Sequence, residues 1–381
     1  MNRPIRVLHV IPSLARTGGV ARFVYTMARN HDESRVHYDF LHHDTHNGKL
    51  LNELTYEPEL EAMGAKVFYA EKAGLDFGRF VKDVDSFFDR HGCDYDVVHC
   101  HMPNAAFCVL RDAKRCGVPV RVLHSHLNNS SDIFWHRVRN APLIALGKRY
   151  LTDRLACGED AGKYLFGSQP FRIIRNGIDL EEYRYRKDVS LELRNVLGIP
   201  DSAFVIGCVG RVCEQKNYTF AVNVLEKVLE DYPNARLVIV GDGPDKCALE
   251  EYIKGKGLDG SVMLLGVRDD VNALYSVFDL LLMPSLYEGL PFTGIEAQAA
   301  GLPCIYSTGV PRQSDISGTG TFIPLSEGAA SWAGTVAQKV SQSRLTGNTE
   351  VMEEKGYSAL RCAEELMAFY EEAIRRGRRQ A

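Results

Sequence analysis

Short apolar runs and amphipathic segments alternate along this chain. Ile5–Ile11 is a run of Val, Leu and Ile of strand length, and Val20, Phe23, Val24 and Met27 follow at helical spacing. Further strands are predicted over Tyr38–His42, Lys66–Tyr69, Val97–His101 and Val118–His124, with helical stretches such as Arg79–His91 between them. Strands that are apolar throughout and alternate with helices predict a parallel sheet covered on both faces. The rhythm breaks at Glu181–Leu197, a charged stretch without a strand pattern. It then restarts, with strands predicted over Phe204–Gly210, Arg236–Gly241, Ser261–Gly266, Asp279–Ser285 and Cys304–Ser307 and a helix over Asn217–Asp231. The restart predicts a second α/β domain beyond a linker near residue 185. Tyr357–Gln380 reads as a long helix with Leu360, Ala363, Leu366 and Met367 on one face. The expected division is 1–185, 186–356 and a C-terminal helix, 357–381, able to cross back to the first domain. The expected fold class is α/β, with two Rossmann-like, doubly wound parallel-sheet domains.

Composition narrows the class. In 381 residues, 45% are hydrophobic and 25% charged, enough apolar material for two cores and too much for a disordered chain. Lys and Arg total 45 against 49 Asp and Glu, a net charge of −4. That balance argues against a dedicated nucleic-acid binder. The ten cysteines show no C-x-x-C and no zinc-type Cys/His spacing, and Cys208 and Cys304 lie inside apolar runs where a thiol serves as a small hydrophobe. A reducing compartment is expected. The opening MNRPIRVLHVIPSL has too short an apolar run for a signal-peptide core, and a Pro interrupts it. No run approaches the roughly 20 apolar residues of a membrane span. The expectation is a cytoplasmic protein, soluble or peripheral at the inner face of the plasma membrane.

Three segments carry candidate chemistry. Arg16-Thr17-Gly18-Gly19-Val20 joins the first strand to the first helix. Glycines there allow backbone N–H groups to approach a phosphate, and equally make a tight turn. The segment is not G-x-G-x-x-G, so a dinucleotide site is not indicated. Gly210-Arg211-Val212-Cys213-Glu214-Gln215-Lys216-Asn217 holds the same place in the second half. Two cations five residues apart on a strand-to-helix loop suit a diphosphate, Arg as a planar fork and Lys as a point charge. Leu286-Tyr287-Glu288-Gly289-Leu290-Pro291-Phe292-Thr293-Gly294-Ile295-Glu296-Ala297 follows the strand DLLLMPS. Pro291 suits a first helical position, which leaves Glu288 in the loop at the C-terminal edge of the sheet and Glu296 on the helix. Either carboxylate alone could be a helix cap. Two at this place, with Gly289 permitting close approach, look like hydroxyl acceptors for a sugar and a ribose.

The spacing G-R-x(4)-K-N followed by E-x(7)-E-A resembles the retaining, nucleotide-sugar-dependent transferases of glycosyltransferase family 4 (GT4), which have the GT-B fold of two domains facing a cleft. Asn176-Gly177-Ile178-Asp179, Gly241-Asp242-Gly243-Pro244 and Leu264–Val271 support the resemblance, which spans the whole chain and is stronger in the second half. VRVLHSHLNN and SLYEGLPF resemble the capsular and exopolysaccharide branch, the CapH-like and EpsF-like transferases. The resemblance implies that Arg211 and Lys216 neutralise a donor diphosphate and that Glu296 accepts from ribose hydroxyls. Glu288 would contact the transferred sugar, with Gly289, Leu290 and Pro291 beside it, the first two offering backbone N–H groups. Val267 and Arg268 would frame the base, Gly18 and Gly19 would close over the phosphates, and Asn176 would join the donor site. His126 falls on the family's T-x-H position, read here as His124-Ser125-His126. His124 stands where the family often has Thr, so either histidine could contact the sugar. The implied activity is hexosyl or N-acetylhexosaminyl transfer with retention from a UDP-sugar co-substrate. No aspartate cluster of metal-binding type is visible, so no obligatory metal and no further cofactor are expected.

The acceptor side is less marked. Residues 111–175 hold 12 Lys/Arg against five acids, and FWHRVRNAPLIALGKRYL interleaves basic and apolar residues from Phe134-Trp135 onward. Such a surface suits an anionic membrane and a saccharide acceptor on a polyprenyl diphosphate, or is an ordinary solvated helix face. The rival readings are a transferase with a small soluble acceptor, a UDP-sugar epimerase on the same fold, and a non-catalytic nucleotide-sugar-binding protein. Residues 1–185 carry a net charge of +2 and the remainder −6, so the basic side is the expected acceptor side.

Overall fold

The computed structural model describes residues 3–46, 49–50, 54–71, 77–126, 134–340, 342, 344–345 and 348–380. The chain divides into two compact units, Met1–Gly177 with Ala359–Ala381, and Ile178–Ser358. The division expected near 185 compares with this junction at Gly177/Ile178.

The first unit runs β1 (Ile5–Ile11), α1 (Gly19–Arg29), β2 (Val36–His46), β3 (Lys49–Leu50), α2 (Glu57–Ala62), β4 (Val67–Glu71), α3 (Phe77–His91), β5 (Val97–Cys100), α4 (Ala106–Arg115), β6 (Val120–Ser125), α5 (Phe134–Gly147), β7 (Asp153–Ala156), α6 (Glu159–Phe166) and β8 (Arg172–Ile173). Its sheet has the order β3-β2-β1-β5-β6-β7-β8, with β4 also on β2, and only β3 antiparallel. The order reverses between β1 and β5, a topological switch point. Six of the seven residues of β1 are buried, on both faces of the sheet, as expected where helices cover both.

The second unit runs α7 (Lys187–Val196), β9 (Val205–Val209), α8 (Tyr218–Asp231), β10 (Arg236–Val240), α9 (Lys246–Gly255), β11 (Val262–Leu264), α10 (Val271–Val277), β12 (Leu280–Met283), α11 (Phe292–Ala299), β13 (Cys304–Ser307), β14 (Thr321–Ile323), α12 (Gly328–Lys339) and α13 (Asn348–Glu354). Its six strands are all parallel in the order β11-β10-β9-β12-β13-β14, with the reversal between β9 and β12. The core on one face gathers Ile206, Leu225, Leu237, Leu280 and Trp332, the last edge-on to Phe220.

Helix α14 (Ala359–Gln380) belongs to the first unit and packs on α1 and β6. It buries Cys362, Ala363, Leu366, Met367, Tyr370, Ala373 and Ile374. Leu360 is 67% exposed, so the expected apolar face begins one turn later than the sequence suggests. The charged stretch read as a linker without a strand contains α7. There, Arg194 is buried against the Val277 carbonyl and the Asp279 carboxylate, so a charged helix becomes part of the packing. Strands β3, β8 and β14 are two or three residues long, too short to give a periodic signal, and β7 (DRLA) opens on two charged residues.

Candidate active site

The C-terminal edge of the second sheet is built by glycines. Gly210 (φ 142°) ends β9 and Gly241 (φ 137°) ends β10, both in conformations that L side chains rarely adopt. A Cβ on Gly241 would stand 2.0 Å from the Gly210 carbonyl oxygen, and one on Gly243 would stand 2.2 Å from that of Val212. Gly210 N–H donates to Val240, Val212 N–H to Asp242, and Gly241 N–H to Gly266. Missing side chains thus let the strand-end loops after β9, β10 and β11 lace together.

Within this edge the loop after β9 meets the loop after β12. Leu286 N–H donates to the Gln215 carbonyl at 2.8 Å, and the Gln215 side chain donates to the Tyr287 carbonyl at 3.0 Å. Asn217 is the only non-glycine at positive φ among the described residues (φ 55°), a conformation Asn tolerates, and its amide donates to the Pro284 carbonyl. Lys216 Nζ pairs with Glu288 Oε1 at 2.7 Å, with both side chains largely buried. Arg211, in the same loop, is exposed and makes no ion pair among the described residues. One cation is therefore held by a carboxylate and the other faces solvent.

Helix α11 begins after this dyad. Pro291 (φ −71°, ψ 126°) precedes its first turn, so the residue expected as first helical is the N-cap, and Gly289, Leu290 and Pro291 are buried. Glu296 lies inside the helix, buried, and accepts hydrogen bonds from Tyr183 Oη (3.1 Å) and Tyr275 Oη (2.8 Å). Val267 and Arg268 lie on the loop after β11; Val267 is exposed, and Arg268 makes a bidentate pair with Asp270 at the start of α10.

The other sequence-derived candidates stand in the first unit. Gly18 caps α1 and donates to the Ala15 carbonyl, closing a tight turn, while Gly19 opens the helix with open space where a side chain would be. Asn176 is buried at the end of that unit. His124 is fully buried in β6, and His126 lies just beyond the strand, partly exposed.

These two histidines are part of a cluster that the sequence reading did not assemble. His126 Nε2 faces His101 Nδ1 at 2.8 Å, and His101 Nε2 faces His9 Nδ1 at 2.9 Å. A second line joins His124 Nδ1 to His99 Nε2 at 3.1 Å and His99 Nδ1 to Tyr370 Oη of α14 at 2.6 Å. Burial lowers every one of these histidines: His9 and His126 to about 3, and His99, His101 and His124 well below their ordinary value. All are neutral at pH 7. The sets His9/His99/His101 and His101/His124/His126 each bring one ligand nitrogen per residue within 4.8 Å. The signal was present as H-x-H at the ends of β5 and β6. Register supplies the rest: His9 pairs with His99 across β1 and β5.

Of the twelve basic residues in 111–175, Arg111, Arg115, Lys163 and Arg172 stand in ion pairs, and Arg121 binds the Tyr150 and Val118 carbonyls. Along α5, Val138 and Leu146 are exposed. The side chains of Phe134, Trp135 and Arg137, and residues Leu127–Asn129 of VRVLHSHLNN, lie outside the described residues. Among the described residues no helix is long and apolar enough to cross a membrane.

Two Rossmann-like parallel-sheet domains make the GT-B fold, and the second carries an ionic dyad at its switch point. Residues 203–341 match the family model "Glycosyl transferases group 1", and residues 17–182 match "Glycosyltransferase Family 4". The chain is 33% identical over 93% of both chains to the putative glycosyltransferase EpsF of Bacillus subtilis (strain 168). It is 30% identical to the UDP-Gal:alpha-D-GlcNAc-diphosphoundecaprenol alpha-1,3-galactosyltransferase of Escherichia coli, over 56% of this chain and 58% of that one. Anabaena Alr3699/HepE, solved with UDP-glucose, superposes with a TM-score of 0.77 over 97% of this chain and 100% of its own at 16% identity, a likeness of fold. The chain belongs to glycosyltransferase family 4 and is a hexosyltransferase.

Proposed function

We propose that this enzyme transfers a hexosyl or N-acetylhexosaminyl group, with retention, from a UDP-sugar to a saccharide carried on a polyprenyl diphosphate, in capsular or exopolysaccharide assembly at the cytoplasmic face of the membrane. The observation that carries the reading is the Lys216–Glu288 dyad, with Arg211 in the same loop, at the switch point where ligands bind in open α/β sheets. The named donor and lipid-linked acceptor of the Escherichia coli relative, and the UDP-glucose of Alr3699/HepE, support this choice of substrates.

In this reading Arg211 and Lys216 take up the charge that develops on the diphosphate as the bond from sugar C1 to the phosphate oxygen breaks. Preorganised cations, Lys216 largely buried and Arg211 on the exposed loop, are the main source of rate. The N–H groups at the start of α11 add to them. Glu288 holds Lys216 and accepts from a sugar hydroxyl, with Gly289, Leu290 and Pro291 beside it, and His126 bonds the sugar near C1. Glu296, oriented by Tyr183 and Tyr275, accepts from the ribose, while Val267 and Arg268 frame the base. Gly18, Gly19 and Asn176 complete the donor site. The acceptor hydroxyl forms the new bond to C1 on the face the diphosphate leaves, and its proton passes to the departing phosphate oxygen. No obligatory metal is needed for these steps. The basic residues of 111–175 and the exposed Val138 and Leu146 of α5 suit an anionic membrane surface.

A thermal-shift screen over UDP-, GDP- and ADP-sugars, followed by transfer assays, tests the reading. Stabilisation by a UDP-sugar and turnover dependent on a saccharide acceptor are expected. Stabilisation by another nucleotide sugar alone, or sugar conversion without acceptor, would replace it. Flotation with acidic liposomes at low salt tests the membrane surface, and no binding would remove it.

A further inference from the structure

The line His9–His101–His126 has unlike ends. At one end His9 Nε2 is buried and has no hydrogen-bond partner. At the other, His126 reaches the strand end with Nδ1 unengaged among the described residues. A neutral imidazole has one donor nitrogen and one acceptor. Both links join an Nδ1 to an Nε2, so the three rings must share one tautomer. If all carry the proton on Nε2, His9 buries an N–H with no acceptor. If all carry it on Nδ1, His9 buries only a bare lone pair, and both links are intact. An orphaned buried N–H is the rarer and costlier defect.

The facing nitrogens are spaced for protons. A tetrahedral zinc ion about 2.0–2.1 Å from each ligand would hold neighbouring nitrogens about 3.3 Å apart. Here they are 2.8 and 2.9 Å apart, an ordinary hydrogen-bond spacing.

We propose that His9 and His101 are positioning residues that lock His126 as the Nδ1–H tautomer, so that its ring offers an N–H donor to an oxygen of the transferred sugar. The sugar half of this statement rests on the function proposed above; the tautomer half does not. The dead end at His9, two rings away, fixes which way the site histidine points its proton. Unconstrained neutral histidine in water prefers the opposite tautomer, so the lock is measurable.

Long-range 1H–15N correlation spectra of histidine-labelled full-length protein read the tautomers directly. The expected result is a protonated Nδ1 on His9, His101 and His126 at pH 7. A protonated Nε2 on His126 overturns the proposal, whether or not the enzyme is active. In His101→Leu the His126 signal should move to the Nε2–H form, and kcat should fall about fivefold, the fold-change of one lost hydrogen bond, with donor KM little changed. If His101→Leu does not fold, His9→Leu frees the same tautomer and is read the same way. An unchanged His126 tautomer in a folded variant overturns the lock. Titration with Zn2+ alone should show no stoichiometric site. One equivalent bound in the wild type and lost in the variant would make the cluster a metal centre and overturn the proposal. A locked tautomer in a protein that transfers no sugar would retain the lock and overturn the sugar contact.

Discussion

The two sheets share a topology and end in opposite chemistry. All twelve histidines of the chain lie from His9 to His136, and five of them form the neutral, largely buried cluster at the strand ends of the first unit. Residues 178–358 contain none, and their sheet ends instead in the ionic pair Lys216–Glu288. A switch point supplies only a place where loops diverge. What fills it depends on what must be held: neutral donors and acceptors in one unit, preorganised charge in the other.

Acid should separate the two units most sharply. His9 and His126, held near 3 in the fold, and His99, His101 and His124, held well below their ordinary value, take up protons near 6.5 once unfolded. Stability is therefore complete above pH 6.5 and falls as the pH drops toward 3, by about 1.4 kcal/mol per pH unit for each such histidine. Hydrogen exchange between pH 7 and pH 4.5 should show β1, β5 and β6 losing protection first, with β9 and β12 retained. Equal loss in both units would break the comparison. Lys216→Ala comes next, removing a preorganised cation from the charged end. Turnover should fall about 10²–10³-fold, about 3–4 kcal/mol of transition-state stabilisation, with the fold intact by circular dichroism. Gly241→Ala should cost about 2–3 kcal/mol of stability in denaturant melts, because its φ of 137° is strained for alanine and its Cβ would meet the Gly210 carbonyl. Tyr275→Phe should act least. It removes one of two hydroxyls on Glu296 and should raise donor KM about fivefold, the worth of one hydrogen bond of about 1 kcal/mol.

The same contrast explains what could be read from the sequence. In the second unit Arg211, Lys216, Glu288 and Glu296 lie on two short segments, each following an apolar strand, so linear spacing carries the motif. Strands β1 and β13 were legible to the residue, because mostly apolar runs bounded by Pro4 and Pro12, and by Pro303 and Gly309, leave little choice. The histidine cluster comes from β1, β5 and β6 with up to 92 residues between bonded partners, and only sheet register unites it. Helix α7 was hidden because its anchor is a buried Arg194, which polarity alone assigns to the surface. Tyr183 and Tyr275 carried no signal of their hold on Glu296, since tyrosines in amphipathic stretches read as ordinary packing.

In the proposed function, the charged end of the second sheet grips a donor diphosphate. Calorimetric titration of wild type and Arg211→Ala with UDP and, separately, with uridine tests it most directly. Arg211→Ala should weaken UDP binding at least tenfold, the loss expected for a charge-assisted contact, and leave uridine binding unchanged. Equal UDP affinity in the two proteins, or an equal loss for uridine, would contradict it.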